Sequence, residues 1–272
     1  MNKKIILIIG LSLISFIGCS SSEMMISNSV EKEIVVDGNQ EDWNGKLKYF
    51  EDERVAVGFQ NDTDNIYFCL VSSDKSNAMK IMSLGLTVWF NPENGEQVIG
   101  LQYPKKMDRV APQNLMGKNR NQNNNSDFEI TINTMMQNQA VFDLVDEDGE
   151  IIYSVPLGGN DGFEIKVGAV NKQFVYEAKV PIGNNNQAQI PINIFPGENF
   201  TIEFETGEID LDEMMKNGGI QQRMDQGGGM SGGMQGGGRN SGGMQGGRGG
   251  QSGSSREGME RLSFDVEVKL SK

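Results

Sequence analysis

The chain contains no histidine. That absence excludes Ser-His-Asp and Cys-His hydrolases, His-ligated zinc and His-ligated haem together, because each needs an imidazole as base or ligand. Cysteine is almost as scarce, with only Cys19 and Cys69 present. Tryptophan is limited to Trp43 and Trp89, so a site that stacks a ligand on indole rings has few candidates. Positive charge is in deficit: 24 Lys and Arg stand against 37 Asp and Glu, for a formal net charge of −13. Such a surface repels phosphate backbones and anionic headgroups, which excludes nucleic acid as a partner and leaves neutral polymers and cations. Past residue 17 no apolar run approaches the roughly 20 residues that a membrane-spanning helix needs.

What is present starts at the N-terminus. Lys3 and Lys4 precede residues 5–17, an almost wholly apolar stretch broken by Gly10, Ser12 and Ser15. Its length fits the roughly 7–15 residues of a signal h-region. It ends in Phe16-Ile17-Gly18-Cys19, which resembles the bacterial lipobox, with Phe16 in place of the usual Leu. Residues 1–18 are therefore expected to be a lipoprotein signal peptide, and Cys19 the lipidated residue. Residues 19–32 are expected to form a flexible tether, and two or more acyl chains make such anchoring stable. The implied location is extracytoplasmic, at the outer membrane or cell surface rather than the inner membrane. Loss of Lys3 and Lys4 leaves the mature protein more acidic still. With Cys19 acylated no internal disulfide can form, and Cys69, inside the apolar run of residues 65–71, reads as a small buried hydrophobe.

Period-two alternation dominates the rest. Residues 34–36 lead into a turn at Asp37-Gly38. Residues 55–59 and 65–71 flank Asn61-Asp62-Thr63-Asp64 as a hairpin, and residues 86–90 and 97–103 flank Asn91-Pro92-Glu93-Asn94-Gly95 in the same way. Residues 76–84 suit one or two helical turns, and residues 104–126 a long polar loop. Residues 128–135 and 140–145 read as strands, the second pairing with 151–155 across Asp146-Glu147-Asp148-Gly149. Residues 163–170 and 174–180 meet at Asn171-Lys172, and 200–204 follows. Many short strands at short intervals predict an all-β fold, an antiparallel β-sandwich.

Residues 217–258 shift abruptly to Gly, Met, Gln, Ser and Arg, and bury too little apolar surface to offset chain entropy. After them Leu262, Phe264, Val266, Val268 and Leu270 alternate strictly with polar residues, so the segment needs a core to cover. The expected domain is residues 33–216 plus 259–272, with the Gly/Met-rich stretch as a disordered insertion before the last strand. Closing so long a loop costs little more than closing a short one, because the penalty is logarithmic.

Several motifs in order resemble the family 9 carbohydrate-binding-module-like domains within the DOMON-like group of β-sandwiches. They are Ile34-Val35-Val36-Asp37-Gly38 with Asp42-Trp43, then Asn61-Asp62 before Asn65-Ile66-Tyr67-Phe68. Gly85-Leu86-Thr87-Val88-Trp89-Phe90-Asn91-Pro92 and Phe174-Val175-Tyr176-Glu177-Ala178-Lys179-Val180-Pro181 complete the set. The resemblance implies a non-catalytic module that holds a glycan by aromatic stacking, with calcium steadying nearby loops. Trp89 is the first candidate ring, sharing a strand face with Thr87 and opposed to Leu86, Val88 and Phe90. Tyr103 and Trp43 follow, Trp43 being better explained as structural. Asp62 and Asp64 are the candidate calcium ligands, while Asp146-Glu147-Asp148-Gly149-Glu150 lacks the full loop spacing and reads as a solvated turn.

Rival readings remain open at this point. One is a structural lipoprotein that contacts a protein partner through the Gly-rich loop. Another is a haem or redox module using methionines such as Met79 and Met82, which core packing explains more simply. Thioether capture of Cu(I) by Met224, Met230, Met234 and Met244 lacks a rigid frame, and Arg239 and Arg248 in glycine-rich context suit an RNA-binding segment poorly on an acidic protein.

Overall fold

A computed structural model describes residues 24–107, 125–183, 185–208 and 261–272. The expected signal peptide of residues 1–18, Cys19 and the expected insertion at 217–258 lie outside the described residues. The elements in chain order are β1 (Met25–Ile26), β2 (Asn28–Ser29), a 3-10 turn at Glu41–Trp43, β3 (Lys48–Phe50), β4 (Val55–Asn61) and β5 (Asn65–Ser72). Then come α1 (Lys75–Leu84), β6 (Leu86–Pro92), β7 (Ile99–Gln102), α2 (Asn125–Met136), β8 (Val141–Val145) and β9 (Ile151–Pro156). The chain closes with β10 (Glu164–Val170), β11 (Gln173–Pro181), β12 (Asn199–Thr206) and β13 (Ser263–Lys269).

Two sheets pack face to face as a β-sandwich. The larger runs β1-β13-β12-β6-β7-β8-β9; the smaller runs β10-β11-β5-β4-β2, with β3 also on β4. Alternation decides which side chains meet between them. Phe200, Ile202 and Phe204 of β12, Val88 and Phe90 of β6, and Phe264, Val266 and Val268 of β13 all point into the shared core. Their neighbours Thr201, Glu203, Glu205, Thr87 and Trp89 take the opposite face. Phe204 stacks on Phe264 with ring centroids 4.9 Å apart.

The last strand is seated as its alternation requires. β13 pairs antiparallel with β12, Phe204 opposite Phe264 and Ile202 opposite Val266. Leu262 N–H donates to the Thr206 hydroxyl at 3.0 Å, so the two ends of the chain excursion between them meet at the sheet.

β5 is apolar on both faces for a reason the sandwich makes plain. Ile66, Phe68 and Leu70 enter the main core, while Tyr67, Cys69 and Val71 join a second cluster with Trp43 and Val175 on the outer face. The segment carrying Val30, Ile34 and Leu47 covers that cluster. Cys69 is fully buried there, and burial pushes its thiol well above the ordinary range. The β10–β11 turn puts both central residues, Asn171 (φ 52°) and Lys172 (φ 70°), in the left-handed region, the geometry of a tight hairpin.

Two expectations are corrected. Residues 128–135 form no strand: they lie in helix α2. Phe128, Ile130 and Ile132 alternate locally, but Phe128 and Ile132 are buried together with the packed Met135 and Met136, while Ile130 is 61% exposed. That is one face of a 3.6-residue period. Nor is the tether free over residues 19–32, because residues 24–30 belong to the domain. β1 adds parallel to β13 and β2 parallel to β4, bridging both sheets. Between them the buried Ser27 donates its hydroxyl to Asn61 Oδ1, which also accepts Ser271 N–H at 3.0 Å. The N-terminal and C-terminal segments are thus clasped at one end of the sandwich. α1 and the Thr206–Leu262 junction occupy the other.

Among the described residues no helix is long and apolar enough to cross a membrane.

Candidate functional site

Trp89 stands on the outer face of the larger sheet, on its central strand β6. Across the ladder it faces Gly100 of β7 and Glu203 of β12. The glycine is what allows the indole to lie down. A Cβ on Gly100 would fall 2.7 Å from Cε3 and Cζ3 of Trp89 and from Val145 Cγ2. Trp89 Nε1–H donates to Glu205 Oε2 at 3.0 Å, which fixes the ring in its plane. Glu205 is held in turn by the Arg261 guanidinium, which also lies 3.7 Å from Glu208. Trp89 remains partly exposed.

Carboxylates surround this ring. Burial pushes the Glu203 carboxyl above the usual range, and the charge on Glu205 adds to the rise. The Ser263 hydroxyl, 3.4 Å away, pulls the other way. One row along the sheet, Thr87 pairs with Gln102 and Gln102 with Asp143. Asp143 is buried, accepting from Ser154 Oγ at 2.5 Å and ion-paired with Lys105 Nζ at 2.5 Å. A flat apolar ring bordered by fixed acceptors and donors can hold a planar, polyhydroxylated molecule by its apolar face and its hydroxyls.

The other predicted rings do not join it. Trp43 is 1% exposed in the second cluster, and its Nε1–H donates to Glu177 Oε1 at 2.7 Å. Tyr103 is 2% exposed in the main core, its hydroxyl directed at the Gln139 carbonyl. Burial pushes that phenol up to about 12. Both are corrected as stacking residues, because neither offers a ring face to solvent. Met82 is likewise fully buried in the main core.

At Asp62, one of the two expected calcium ligands, the carboxylate serves its own turn. Asp62 Oδ1 accepts the backbone N–H groups of Asp64 (2.8 Å) and Asn65 (2.7 Å), and Oδ2 accepts the Tyr67 hydroxyl at 2.9 Å. The carboxylate is used up as a turn-former. Among the described residues no group of three or more acidic or cysteine side chains could hold a metal ion. Asp146 acts similarly in its own turn, accepting Asp148 N–H and Glu150 N–H.

Sequence reasoning missed the role of Glu177. Only 1% exposed, it accepts N–H groups from Asp37 (3.1 Å), Gly38 (2.6 Å) and Asn39 (3.2 Å) on one oxygen and from Trp43 on the other. This explains the pairing of Asp37-Gly38 with Trp43, since the turn and the indole share one buried anchor. Gly38 adopts φ +81°, and a Cβ on facing Gly168 would collide with its carbonyl. A lone acid inside the apolar run 174–178 was the available signal. Tyr49 was missed as well, because β3 is too short to show a period.

No protein-family model matches the chain, and no match was found among curated proteins. Among solved structures the chain is similar to a family 9 carbohydrate-binding module from Caldicellulosiruptor kristjanssonii in complex with cellotriose. The identity is 10% and the TM-score 0.34, covering 92% of this chain and 94% of that one. It is also similar to a family 9 module from the same organism in complex with glucose. There the identity is 10% and the TM-score 0.32, over 70% of this chain and 81% of that one. At that level of likeness nothing about a ligand transfers to this chain.

Proposed function

We propose that this protein is a lipid-anchored, extracytoplasmic glycan-binding lipoprotein without catalytic activity, its ligand lying on the outer face of the larger sheet against Trp89. One observation carries the reading: an indole laid over Gly100 and fixed by Glu205, partly exposed among hydrogen-bonding side chains. A pyranose presents an apolar face to such a ring and hydroxyls to its border. The lipobox-like end of residues 1–19 and the motif resemblance to glycan-binding modules support the location and the ligand class.

Affinity electrophoresis through polysaccharide gels tests the site. Wild-type protein is expected to be retarded by at least one glycan, and Trp89→Ala to weaken retention at least tenfold, the equivalent of about 1.4 kcal/mol. Gly100→Ala is expected to lose retention similarly, because its methyl group must displace the indole, at a stability cost of about 1–3 kcal/mol. Unchanged retention in Trp89→Ala would remove this face as the site. For the anchor, Cys19→Ser expressed with its own N-terminus is expected to move from the detergent-extracted membrane fraction to the soluble fraction. A membrane-bound Cys19→Ser protein would refute acylation at that residue.

A further inference from the structure

A second feature lies on the opposite sheet and belongs to neither the Trp89 face nor the main core. A groove of about 650 Å³ opens on the outer face of the smaller sheet, lined by Tyr49, Ala56, Val71, Arg54, Asp74 and Gln173 among others. Its floor follows from register. Tyr49 of β3 pairs with Ala56 of β4, and Ala56 with Val71 of β5, so one cross-strand row supplies the aromatic and both aliphatic side chains. Tyr49 is 62% exposed, the only aromatic among the exposed large apolar residues described. Tyr49 keeps its ring in solvent beside the partly buried Ala56, while Val71, packed in the Trp43 cluster, contributes only an edge to the groove.

The rim is polar and held in place. Arg54 Nη1 pairs with Asp74 Oδ2 at 3.1 Å. Arg54 itself sits at φ +56°, a left-handed conformation uncommon for a side chain of its size. Its turn is tied down from two sides: Ser72 Oγ donates to the Arg54 carbonyl at 3.0 Å, and Asn77 Nδ2 donates to the Glu53 carbonyl at 2.7 Å. Across the groove, Gln173 accepts from Gln40 Nε2 at 2.6 Å and donates to Ser73 Oγ at 3.3 Å. A guanidinium, a carboxylate and an amide, each oriented by a neighbour, therefore border a ring and an aliphatic floor.

We infer that this groove is a second ligand site, taking one neutral pyranose ring with its apolar face on Tyr49 and its hydroxyls at Arg54, Asp74 and Gln173. The class follows from three properties. The volume lies within the roughly 300–1,000 Å³ of small-molecule sites. The exposed ring with its aliphatic floor suits a molecule having one apolar face. The guanidinium and carboxylate at the rim balance in charge, which favours vicinal hydroxyls over an anion, since a carboxylate ligand would meet Asp74. The groove also lies at the end of the sandwich away from the Ser27–Asn61–Ser271 clasp.

The test is amide chemical-shift mapping on ¹⁵N-labelled protein, titrated separately with methyl β-glucopyranoside, methyl β-galactopyranoside and glucuronate. A neutral pyranoside is expected to shift the amides of Tyr49, Ala56 and Gln173 in a saturable way. Tyr49→Ala is expected to weaken that response at least tenfold, while Tyr49→Phe, which keeps the ring, holds it within about threefold, in line with ring stacking carrying the affinity. Trp89→Ala is expected to leave these shifts intact, so failure of the Trp89 site and failure of this one are read separately. Three results would overturn the inference: groove amides unmoved by both neutral sugars, a response only to glucuronate, or an unchanged response in Tyr49→Ala.

Discussion

Val266→Asp is expected to abolish cooperative folding or to cost at least about 4 kcal/mol, the largest effect of any single change considered for this chain. Val266 is 1% exposed, opposite Ile202, and its side chain enters the core between the sheets. A carboxylate there has no partner, and burying an unpaired charge costs several kcal/mol even after relaxation. Domains of this kind have a total stability of only about 5–15 kcal/mol. Asp265→Asn, one residue away on the solvent face, is expected to change stability by less than about 0.5 kcal/mol. Urea denaturation followed by circular dichroism measures both. Equal midpoints for Val266→Asp and wild type would mean that the C-terminal strand is not part of the core. The single-domain reading of a chain interrupted at residues 217–258 would then fail.

Glu177→Ala is expected to cost about 3–5 kcal/mol, since four N–H donors lose their acceptor, those of Gly38 and Trp43 buried, and each buried unsatisfied group costs about 1–3 kcal/mol before relaxation. The same variant should shift Trp43 fluorescence to longer wavelength, read cleanly in a Trp89→Phe background. Glu177→Gln keeps one oxygen and is expected to fall between alanine and wild type. Burial pushes the Glu177 carboxyl above its usual range, against the opposing pull of the Trp43 and Gly38 donors. A carboxyl raised in the folded state stabilises most below its unfolded value. That contribution is lost as pH rises through the folded value. Removing Glu177 should therefore flatten the decline of stability between those two values. A stability loss under about 1 kcal/mol with unchanged Trp43 emission would show that the 37–43 turn does not depend on this anchor.

Much of the scaffold was legible before any coordinates. The strict alternation of residues 262–270 required a half-buried strand, and β13 is that strand. The face assignment in β6, with Leu86, Val88 and Phe90 inward and Trp89 outward, rests on period two alone and needs no knowledge of neighbours. Asn171-Lys172 carried its hairpin without glycine, because the flanking apolar runs left no other length for the turn. Legibility failed where a local pattern had two solutions. Phe128, Ile130 and Ile132 fit a strand over five residues, and only the burial of Phe128 with Ile132, Met135 and Met136 selects a helix.

The candidate sites divide along the same line. Trp89 could be named from its strand, but its posture depends on Gly100 and Glu205, which arrive from two neighbouring strands. Trp43 and Tyr103 ranked behind it, Trp43 as better explained structurally, and only the packing shows both rings buried. Asp62 was named for its oxygen atoms, but which N–H groups and hydroxyl those oxygens accept from is a matter of the hairpin's geometry. Tyr49, Ala56, Val71 and Gln173 are far apart in the chain and share no motif. The sequence alone determined a strand-rich domain, an apolar face for each strand and an expected lipid anchor. Only the tertiary structure decided which polar and aromatic groups meet, because strand register sets those distances, and register comes from the packing of both sheets together.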